Sequence, residues 1–354
     1  MKSPYIITIF VTTIMFACNS DAGSNNDSQC ISVTEYDSTY IRSSVPMGDI
    51  LDVAMFQNIM ILKQEAEKDV FLFVDCTTGN VIKTWGRRGH GPQEFIDFGM
   101  SVDVCDSTLA FVEWDTRTLH IVNVNDIVTD TNQVRISSQT YPYTRDFRPN
   151  KLYRIGRGWL ALGYFASSRL GYLTKEMKEV ESNVDYPFEH DDISLLFAGT
   201  VFQGKAACVG SLGAIITNMS DALEIVSVDS MGNITKTVEV KPTMLPKYSN
   251  SYGQLRNLYS ENSAGYSDVC ADAEYIYILS GGELRYKDFA ANGLMSTSII
   301  KYDWNGNLIC EYKLPFPVSE ICVHGTKLYG IRPNGEDVII YSFDIEKQKN
   351  EISQ

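Results

Sequence analysis

The sequence lacks several features that mark familiar functional classes. Basic residues are few, since 30 stand against 44 acidic ones, and the formal net charge is −14. Nucleic-acid binding depends on clustered Lys and Arg that neutralise phosphates, so we expect no nucleic-acid partner. There are four histidines, none in a metal-binding spacing, and no G-x-S-x-G nucleophile motif. Linear motifs therefore predict no metal site, no cofactor and no catalytic residue.

Cysteine occurs eight times, but not in a pattern typical of a disulfide framework or a zinc site. No C-x-x-C is present, and an odd number remains after the first cysteine. Most of these lie in apolar runs, where a free cysteine behaves as a small hydrophobic residue. We expect core positions for Cys30, Cys76, Cys105, Cys208, Cys270, Cys310 and Cys322.

The N-terminus has the pattern of an export signal. Lys2 precedes an apolar run from Tyr5 to Phe16, which is too short for the ~20 residues of a spanning helix. Cys18 directly follows the small Ala17, which resembles a bacterial lipobox, although Met15 stands where leucine is usual. This predicts a signal peptide over 1–17 and a lipid-modified Cys18. A plain secretory signal with an incidental cysteine is the alternative.

The polar composition of residues 18–29 predicts a flexible tether. We expect residues 30–354 to form the folded domain. This domain contains a repeated pattern of strand, turn and strand. Three copies carry Gly-Asn in the turn, which is typical of hairpins because both residues accept positive φ. They are Val70–Trp85, Leu223–Val238 and Ser298–Tyr312.

A second repeated pattern sets the period. Val53 and Val104 are 51 residues apart, and Val269 and Ile321 are 52 apart. The 165 residues between Val104 and Val269 equal three intervals of 55, which leaves room for two degenerate units. Six units of four short strands predict an all-β, six-bladed β-propeller. A pair of β-sandwiches, the rival architecture, would not keep this period.

The two degenerate units lie around 152–161 and 207–216. The last unit has too few residues for a fourth strand. We expect the alternating segment Ile31 to Ser43 to pair with it and close the ring. Two long connections, 189–192 and 247–261, are expected between blades, the second as a loop or a short helix.

A glycine-rich segment after the first blade carries a family resemblance. Together with the lipobox and the repeat, it resembles the TolB-like and NHL-like six-bladed propeller lipoproteins of Bacteroidetes. Their first blade junction has Gly-x-x-Gly-x-Gly-Pro-x-Glu-Phe/Tyr, matched here by Gly86, Gly89, Gly91, Pro92, Glu94 and Phe95. The resemblance covers the chain after the tether. It implies a lipid-anchored protein of the cell envelope, at the periplasmic or surface face of the outer membrane, and no catalytic residues.

The same segment raises a phosphate-binding loop as an alternative. Such a loop needs its glycines between a strand and a helix, whereas here Pro92 removes a donor and a strand follows. We favour a structural turn. Arg87, Arg88 and His90 project from it and remain candidates for an anionic ligand.

Four acids recur at one place of the second pattern: Asp52, Asp103, Asp268 and Glu320. If they lie on the innermost strands, they are expected to form an acidic collar at the mouth of the channel and to bind cations or polar ligands. The alternative, which we favour, is that each accepts backbone hydrogen bonds from the neighbouring blade.

Two functions remain open. The first is a non-enzymatic binding or scaffold module for a protein or glycan partner. The second is a glycan- or lactone-directed hydrolase or lyase at the channel mouth, because propeller enzymes build sites from scattered residues. A cluster of perturbed carboxylates or a metal would indicate an enzyme, and an exposed apolar patch would indicate a binder. We favour the first.

Replacing the predicted lipid-modified residue tests the anchor. Cys18→Ser is expected to move the protein from the membrane fraction to the soluble fraction, because the lipid provides the attachment. Cys30→Ser is the matched control and is expected to remain with membranes. Retention of the Cys18→Ser protein in the membrane fraction, followed by immunoblot, contradicts the lipoprotein assignment.

Overall fold

The computed structural model describes residues 29–350 except 45, 100, 130–133, 167, 187–194, 252–253 and 335–336. The signal peptide, Cys18 and almost all of the tether lie outside the described residues. Within the described ranges, no helix is long and apolar enough to cross a membrane.

Six sheets follow one another along the chain, each built outward from an innermost strand. Before them come β1 (Gln29–Ser32) and β2 (Asp37–Tyr40). Blade 1 contains β3 (Ile50–Phe56), β4 (Ile59–Gln64), β5 (Lys68–Asp75), β6 (Val81–Arg88) and the short β7 (Glu94–Phe95). Blade 2 contains β8 (Val102–Cys105), β9 (Thr108–Glu113), β10 (Thr118–Asn123), helix α1 (Val124–Val128) and β11 (Ile136–Thr140).

Blade 3 contains β12 (Phe147–Ile155), β13 (Gly158–Phe165), β14 (Gly171–Leu173) and β15 (Glu179–Val180), and helix α2 (Leu195–Val201) follows it. Blade 4 contains β16 (Gly204–Val209), β17 (Leu212–Thr217), β18 (Leu223–Val228) and β19 (Ile234–Val240). A hairpin of β20 (Tyr248–Ser251) and β21 (Gln254–Asn257) comes next.

Blade 5 contains β22 (Ser263–Ala271), β23 (Tyr275–Arg285), helix α3 (Tyr286–Ala291), β24 (Ser296–Asp303) and β25 (Leu308–Val318). Blade 6 contains β26 (Glu320–His324), β27 (Lys327–Asn334) and β28 (Asp337–Asp344), with helix α4 (Lys347–Asn350) at its end. The innermost strands adjoin one another in the order β3, β8, β12, β16, β22 and β26, and β26 returns to β3. The predicted six-bladed propeller with four-stranded blades is confirmed.

The core lies between blades rather than in one central mass. In β5, all of Val70–Val74 is fully buried because each face of a middle strand is covered by a neighbouring blade. Successive side chains alternate between the two faces. Phe71 packs with Phe111 of blade 2, whereas Leu72 packs with Ile331 of blade 6.

The N-terminal segment closes the ring, as predicted, but it divides its pairing between two blades. β2 pairs antiparallel with β28 and supplies the fourth strand of blade 6. β1 instead pairs in parallel with β25, the outer strand of blade 5. Ile31 and Val33 accordingly pack between blades 5 and 6, and Ile41 packs between blades 6 and 1.

The long connection at 247–261 lies between the last strand of blade 4 and the first strand of blade 5. The segment expected as a loop or short helix at 247–261 is the β20–β21 hairpin. The side chain of Asn262 ties its base, accepting from the Lys247 N–H at 2.6 Å and donating to the Lys247 carbonyl at 3.0 Å. The acidic connection 189–192 lies outside the described residues.

Deleting the closing segment tests its contribution to stability. Deletion of 31–43 removes β2 and three buried aliphatic side chains, so we expect a melting temperature about 10 °C or more below that of the parent. Deletion of 19–29, the matched control, is expected to leave the melting temperature nearly unchanged. Equal melting temperatures for the two deletions, measured by circular dichroism, contradict this role.

Candidate functional site

One polar side chain in each of five blades occupies the same level of the innermost strand. Each pairs with the second-strand residue eleven positions later. Each also precedes an apolar residue that packs against the preceding blade, which turns the polar side chain toward the following blade. We call this set the axial cluster: Asp52, Lys151, Lys205, Asp268 and Glu320.

Two acids of the axial cluster connect neighbouring blades through the backbone. Asp52 Oδ2 accepts the N–H of Val102 in blade 2 at 2.7 Å. Asp268 Oδ2 accepts the N–H of Ile321 in blade 6, also at 2.7 Å. Both contacts are backbone hydrogen bonds from the following blade, as in the structural role that the sequence favoured for these acids. Burial raises the pKa of Asp52, although the charge of Lys205 opposes that rise.

Lys205 connects blade 4 with blades 5 and 6. Its Nζ lies 2.8 Å from Asp268 Oδ1 and 2.5 Å from Glu320 Oε2. Burial alone would lower the pKa of this lysine, but the surrounding carboxylates hold it well above its usual value. Burial and the charge of Asp268 raise the pKa of Glu320. The charge of Lys205 opposes this rise, but the same ammonium group also pairs with Asp268. The four acids therefore do not form an uncompensated collar, since a lysine lies between two of them.

Neither lysine of the axial cluster was predicted from the sequence. They lie in blades 3 and 4, whose repeats are degenerate. A signal was present, because Lys151-Leu152 and Lys205-Ala206 repeat the order of polar then apolar residue seen in Asp52-Val53. Lys151 Nζ donates to the carbonyl of Gly204 in blade 4 at 2.7 Å. Burial lowers the pKa of Lys151 to about 8.

Asp103 does not lie at the level of the other three acids. It pairs with Ala110, seven positions later, and so lies two residues nearer the turn that joins the first two strands. There it faces blade 3, with Oδ2 3.6 Å from Arg154 Nε and Oδ1 3.4 Å from the Arg154 backbone nitrogen. Burial raises its pKa, against the lowering effect of Arg154. The sequence repeat aligned it wrongly because valines flank it on both sides.

A third lysine is buried beside the axial cluster. Lys63 of β4 pairs across the strands with Asp52 and is 1% exposed. Its Nζ has no hydrogen-bond partner among the described residues. Burial lowers its pKa to about 8, although the charge of Asp52 limits the change. Unlike that of Lys205, this ammonium group is buried without a hydrogen bond to compensate for its lost hydration, so it lowers the stability of the fold.

The charged side chains of the axial cluster have little exposure, since those of Lys205, Asp268 and Glu320 are 18%, 4% and 11% exposed. A small cavity of about 30 Å³ between blades 3 and 4 is lined by Lys151 and Gly204. Within the described residues, no group of three or more His, Cys, Asp or Glu side chains is arranged to hold a metal ion. The seven cysteines from Cys30 to Cys322 are free thiols. Cys310 and Cys322 are buried in the core as expected, whereas Cys30 is exposed and the other four are half-buried.

The glycine-rich motif forms a compact turn on the outer edge of blade 1. Glu94 folds back, so that its Oε2 accepts the N–H of Gly91 at 2.9 Å. The Gly89 N–H donates to the Phe95 carbonyl at 3.0 Å, and Gly86 has φ +85°. The Phe95 ring is buried against Phe111 of blade 2, with ring centroids 4.9 Å apart. The motif thus anchors the first blade junction.

The charged residues of this turn do not meet the axial cluster. Arg87 Nε lies 3.3 Å from Glu94 Oε1 within the turn. Arg88 lies near Glu65, with 3.5 Å between Nη2 and Oε1, and His90 is exposed. The candidate ligand residues named from the sequence therefore fall in separate places, and their binding role stays a prediction.

Two larger recesses open at the end of the ring where the first strand of each blade turns into the second. One, of about 540 Å³, lies at the channel mouth between the turns at Gln57, Asp106 and His324. The other, of about 610 Å³, lies beside it across blades 2, 3 and 4. The two are separated by Ser107 and Thr108, which line one recess each.

The geometry defines a six-bladed propeller in which an ion-paired lysine near the axis joins three blades. The family model described as a TolB-like six-blade propeller matches residues 24–326, and the chain belongs to this family. No curated protein matches the chain.

Solved structures with the same fold are distant in sequence. A protein designated as exported from Bacteroides fragilis NCTC 9343 is 12% identical, with 89% of this chain and 99% of that one covered and a TM-score of 0.55. A member of the DUF4221 family from Bacteroides vulgatus ATCC 8482 is 11% identical, with 89% and 98% covered and a TM-score of 0.55. At this identity, the similarity extends to the fold alone.

Two substitutions of buried lysines by methionine are expected to act in opposite directions. Lys205→Met leaves Asp268 and Glu320 buried without their cation, so we expect a loss of about 3–5 kcal/mol in the free energy of unfolding. Lys63→Met replaces an unpartnered ammonium by an apolar group of similar length, and we expect a gain of about 1–3 kcal/mol. Urea unfolding at pH 7 measures both. A similar loss in both variants contradicts the assigned roles.

The gain from Lys63→Met is expected to depend on pH. The pKa of Lys63 is lower in the folded state, about 8, than its usual 10.5 in the unfolded state. The cost of burying its charge is thus complete below pH 8 and is relieved as pH rises toward 10.5. The advantage of Lys63→Met should therefore shrink between pH 8 and pH 10, and an advantage that grows over this range contradicts the argument.

Proposed function

We propose that this protein is a lipid-anchored binding module of the bacterial cell envelope, without enzymatic activity of its own. The lipobox pattern ending at Cys18 supports the anchor and the location. The shared fold of an exported Bacteroides fragilis protein is compatible with that location. The partner class remains a protein, a glycan or a smaller ligand.

The observation that carries the proposal is the contrast between axial charged groups that satisfy one another and open recesses at the end of the ring. Lys205 satisfies Asp268 and Glu320 within the channel, and Asp52 is held by a backbone N–H. The side chains of Lys205, Asp268 and Glu320 are at most 18% exposed, so little of their surface is accessible to a substrate. The recesses of 540 and 610 Å³ at the end of the ring are in the size range of ligand sites.

One observation favours the alternative, a hydrolase or lyase acting on glycans or lactones. Asp52, Asp103 and Glu320 have raised pKa values, as expected of groups that hold a proton for general acid catalysis. Burial is the first cause in each case. Structural ion pairs also perturb pKa values, and the contacts of these acids account for them without a substrate.

A ligand screen with product analysis separates the two functions. The full chain in detergent is titrated with calcium, soluble glycans, lactones and small organic anions, and the melting temperature is followed. We expect a saturable rise for a ligand that is recovered chemically unchanged, because binding to the folded state stabilises it. A product that forms with the parent and not with Glu320→Gln contradicts the non-enzymatic proposal.

A further inference from the structure

The recess of about 610 Å³ across blades 2, 3 and 4 combines a fixed guanidinium group, an excess of positive charge and an aromatic wall. We call it the blade 2–4 groove. It is lined by the turns at Gly156-Arg157 and Thr174–Glu176 of blade 3 and at Ser230–Gly232 of blade 4, together with residues of blade 2. The Gly156 N–H donates to the Gly210 carbonyl of blade 4 at 2.6 Å, which ties two of its sides together.

Arg154 is held on three sides before any ligand arrives. Its Nη1 donates to Thr108 Oγ1 at 2.9 Å, and its Nε lies 3.6 Å from Asp103 Oδ2. Its guanidinium carbon lies 5.1 Å from the centre of the Trp159 ring. Its remaining nitrogen, Nη2, has no hydrogen-bond partner among the described residues, and the same is true of Gln139 Oε1 in the groove. The lining residues of the groove thus include one buried donor and one buried acceptor without a partner among the described residues.

The charge of the groove is opposite to that of the whole chain. Arg154, Arg157 and Lys175 line it, with Glu176 as the acid among the lining residues. Counting Asp103 against Arg154 still leaves the groove with a net charge of +1, whereas the chain carries −14. A positive recess on an acidic surface attracts anions locally, and the rest of the surface repels them.

The walls between these charges are apolar and aromatic. Trp159 and Tyr172 belong to the lining with only 4% and 3% of their surface exposed, and Ile121 contributes an aliphatic side chain. Met231 at the rim is 75% exposed, and methionine adapts well to flat ligands. A flat apolar body beside an anionic group fits this arrangement better than a fully hydrated sugar.

We propose that the blade 2–4 groove binds a small organic anion, with a carboxylate or phosphate group at Arg154, Arg157 and Lys175 and a planar apolar body against the Trp159 side. This deepens the proposed function, and it rests on the protein being a binding module. Planar guanidinium groups recognise carboxylate and phosphate in the same geometry, so the experiment separates the two sources.

Isothermal titration of the full chain in detergent provides the test. The probes are indole-3-acetate, its neutral amide and inorganic phosphate. We expect saturable binding of indole-3-acetate, at least about tenfold weaker binding of the amide, and weakening by added salt. Tighter binding of phosphate than of indole-3-acetate would assign the anion as a phosphate. Absence of saturable binding by all three probes, or equal affinity for acid and amide, overturns the proposal.

Variants locate the binding. Arg157→Gln with Lys175→Gln is expected to weaken indole-3-acetate binding at least about tenfold. Arg145→Gln with Lys241→Gln changes the net charge equally outside the groove, and it should bind as the parent does. Ser230→Trp keeps every charge but fills the groove, and is expected to abolish binding. Melting temperatures confirm that each variant is folded.

The outcomes distinguish the site from the general function. Probe binding that is unaffected by the double groove variant and by Ser230→Trp overturns the groove assignment, while the binding-module proposal stands. Chemical conversion of a probe or of a screened ligand contradicts the binding-module proposal itself, whatever the groove variants do.

Discussion

The contact of Lys205 with two carboxylates is the interaction on which the ring depends. Six sheets radiate from one axis, and each innermost strand contacts the innermost strands of the two neighbouring blades. Lys205 reaches beyond its neighbour, since Asp268 belongs to blade 5 and Glu320 to blade 6. It therefore joins three blades at one nitrogen atom. The other closing element, β2, adds only one short strand at the outer edge of blade 6.

Buried ion pairs near the axis determine how neighbouring blades are aligned more than they add to the free energy of unfolding. Desolvation of a buried pair can equal or exceed its attraction, whereas loss of one partner is costly. The apolar cores between blades supply most of the favourable free energy, and many rotations or offsets of two such faces would bury similar areas. The contacts of Asp52 and Asp268 with single N–H groups of the next blade select one offset. Lys63 is the exception, because it has no such partner.

The fold was predictable because it is a repeat, and the site was less so because its members come from different copies. The interval of 51–52 residues and the Gly-Asn turns sufficed for six blades. The acids at 52, 268 and 320 were found because each precedes Val or Ile. Lys151 and Lys205 were missed because their blades have diverged, and Asp103 was aligned two residues away from its structural level because Val102 and Val104 offer two equivalent alignments. The blade 2–4 groove has no linear signal, since three blades form it.

Arg154 connects the groove with the innermost strands of the ring, which affects what the groove can recognise. Arg154 belongs to the innermost strand of blade 3 and already faces Asp103 of blade 2. The carboxylate of Asp103 thus offsets part of the charge of Arg154. Arg154 would therefore bind an anion mainly through a directed hydrogen bond and less through net charge. The net attraction must come from Arg157 and Lys175, which lie on exposed turns. Such turns can change in sequence without disturbing the ring, because the ion pairs of the channel hold the strands beneath them. A propeller built this way keeps one rigid interior while its turns determine the ligand.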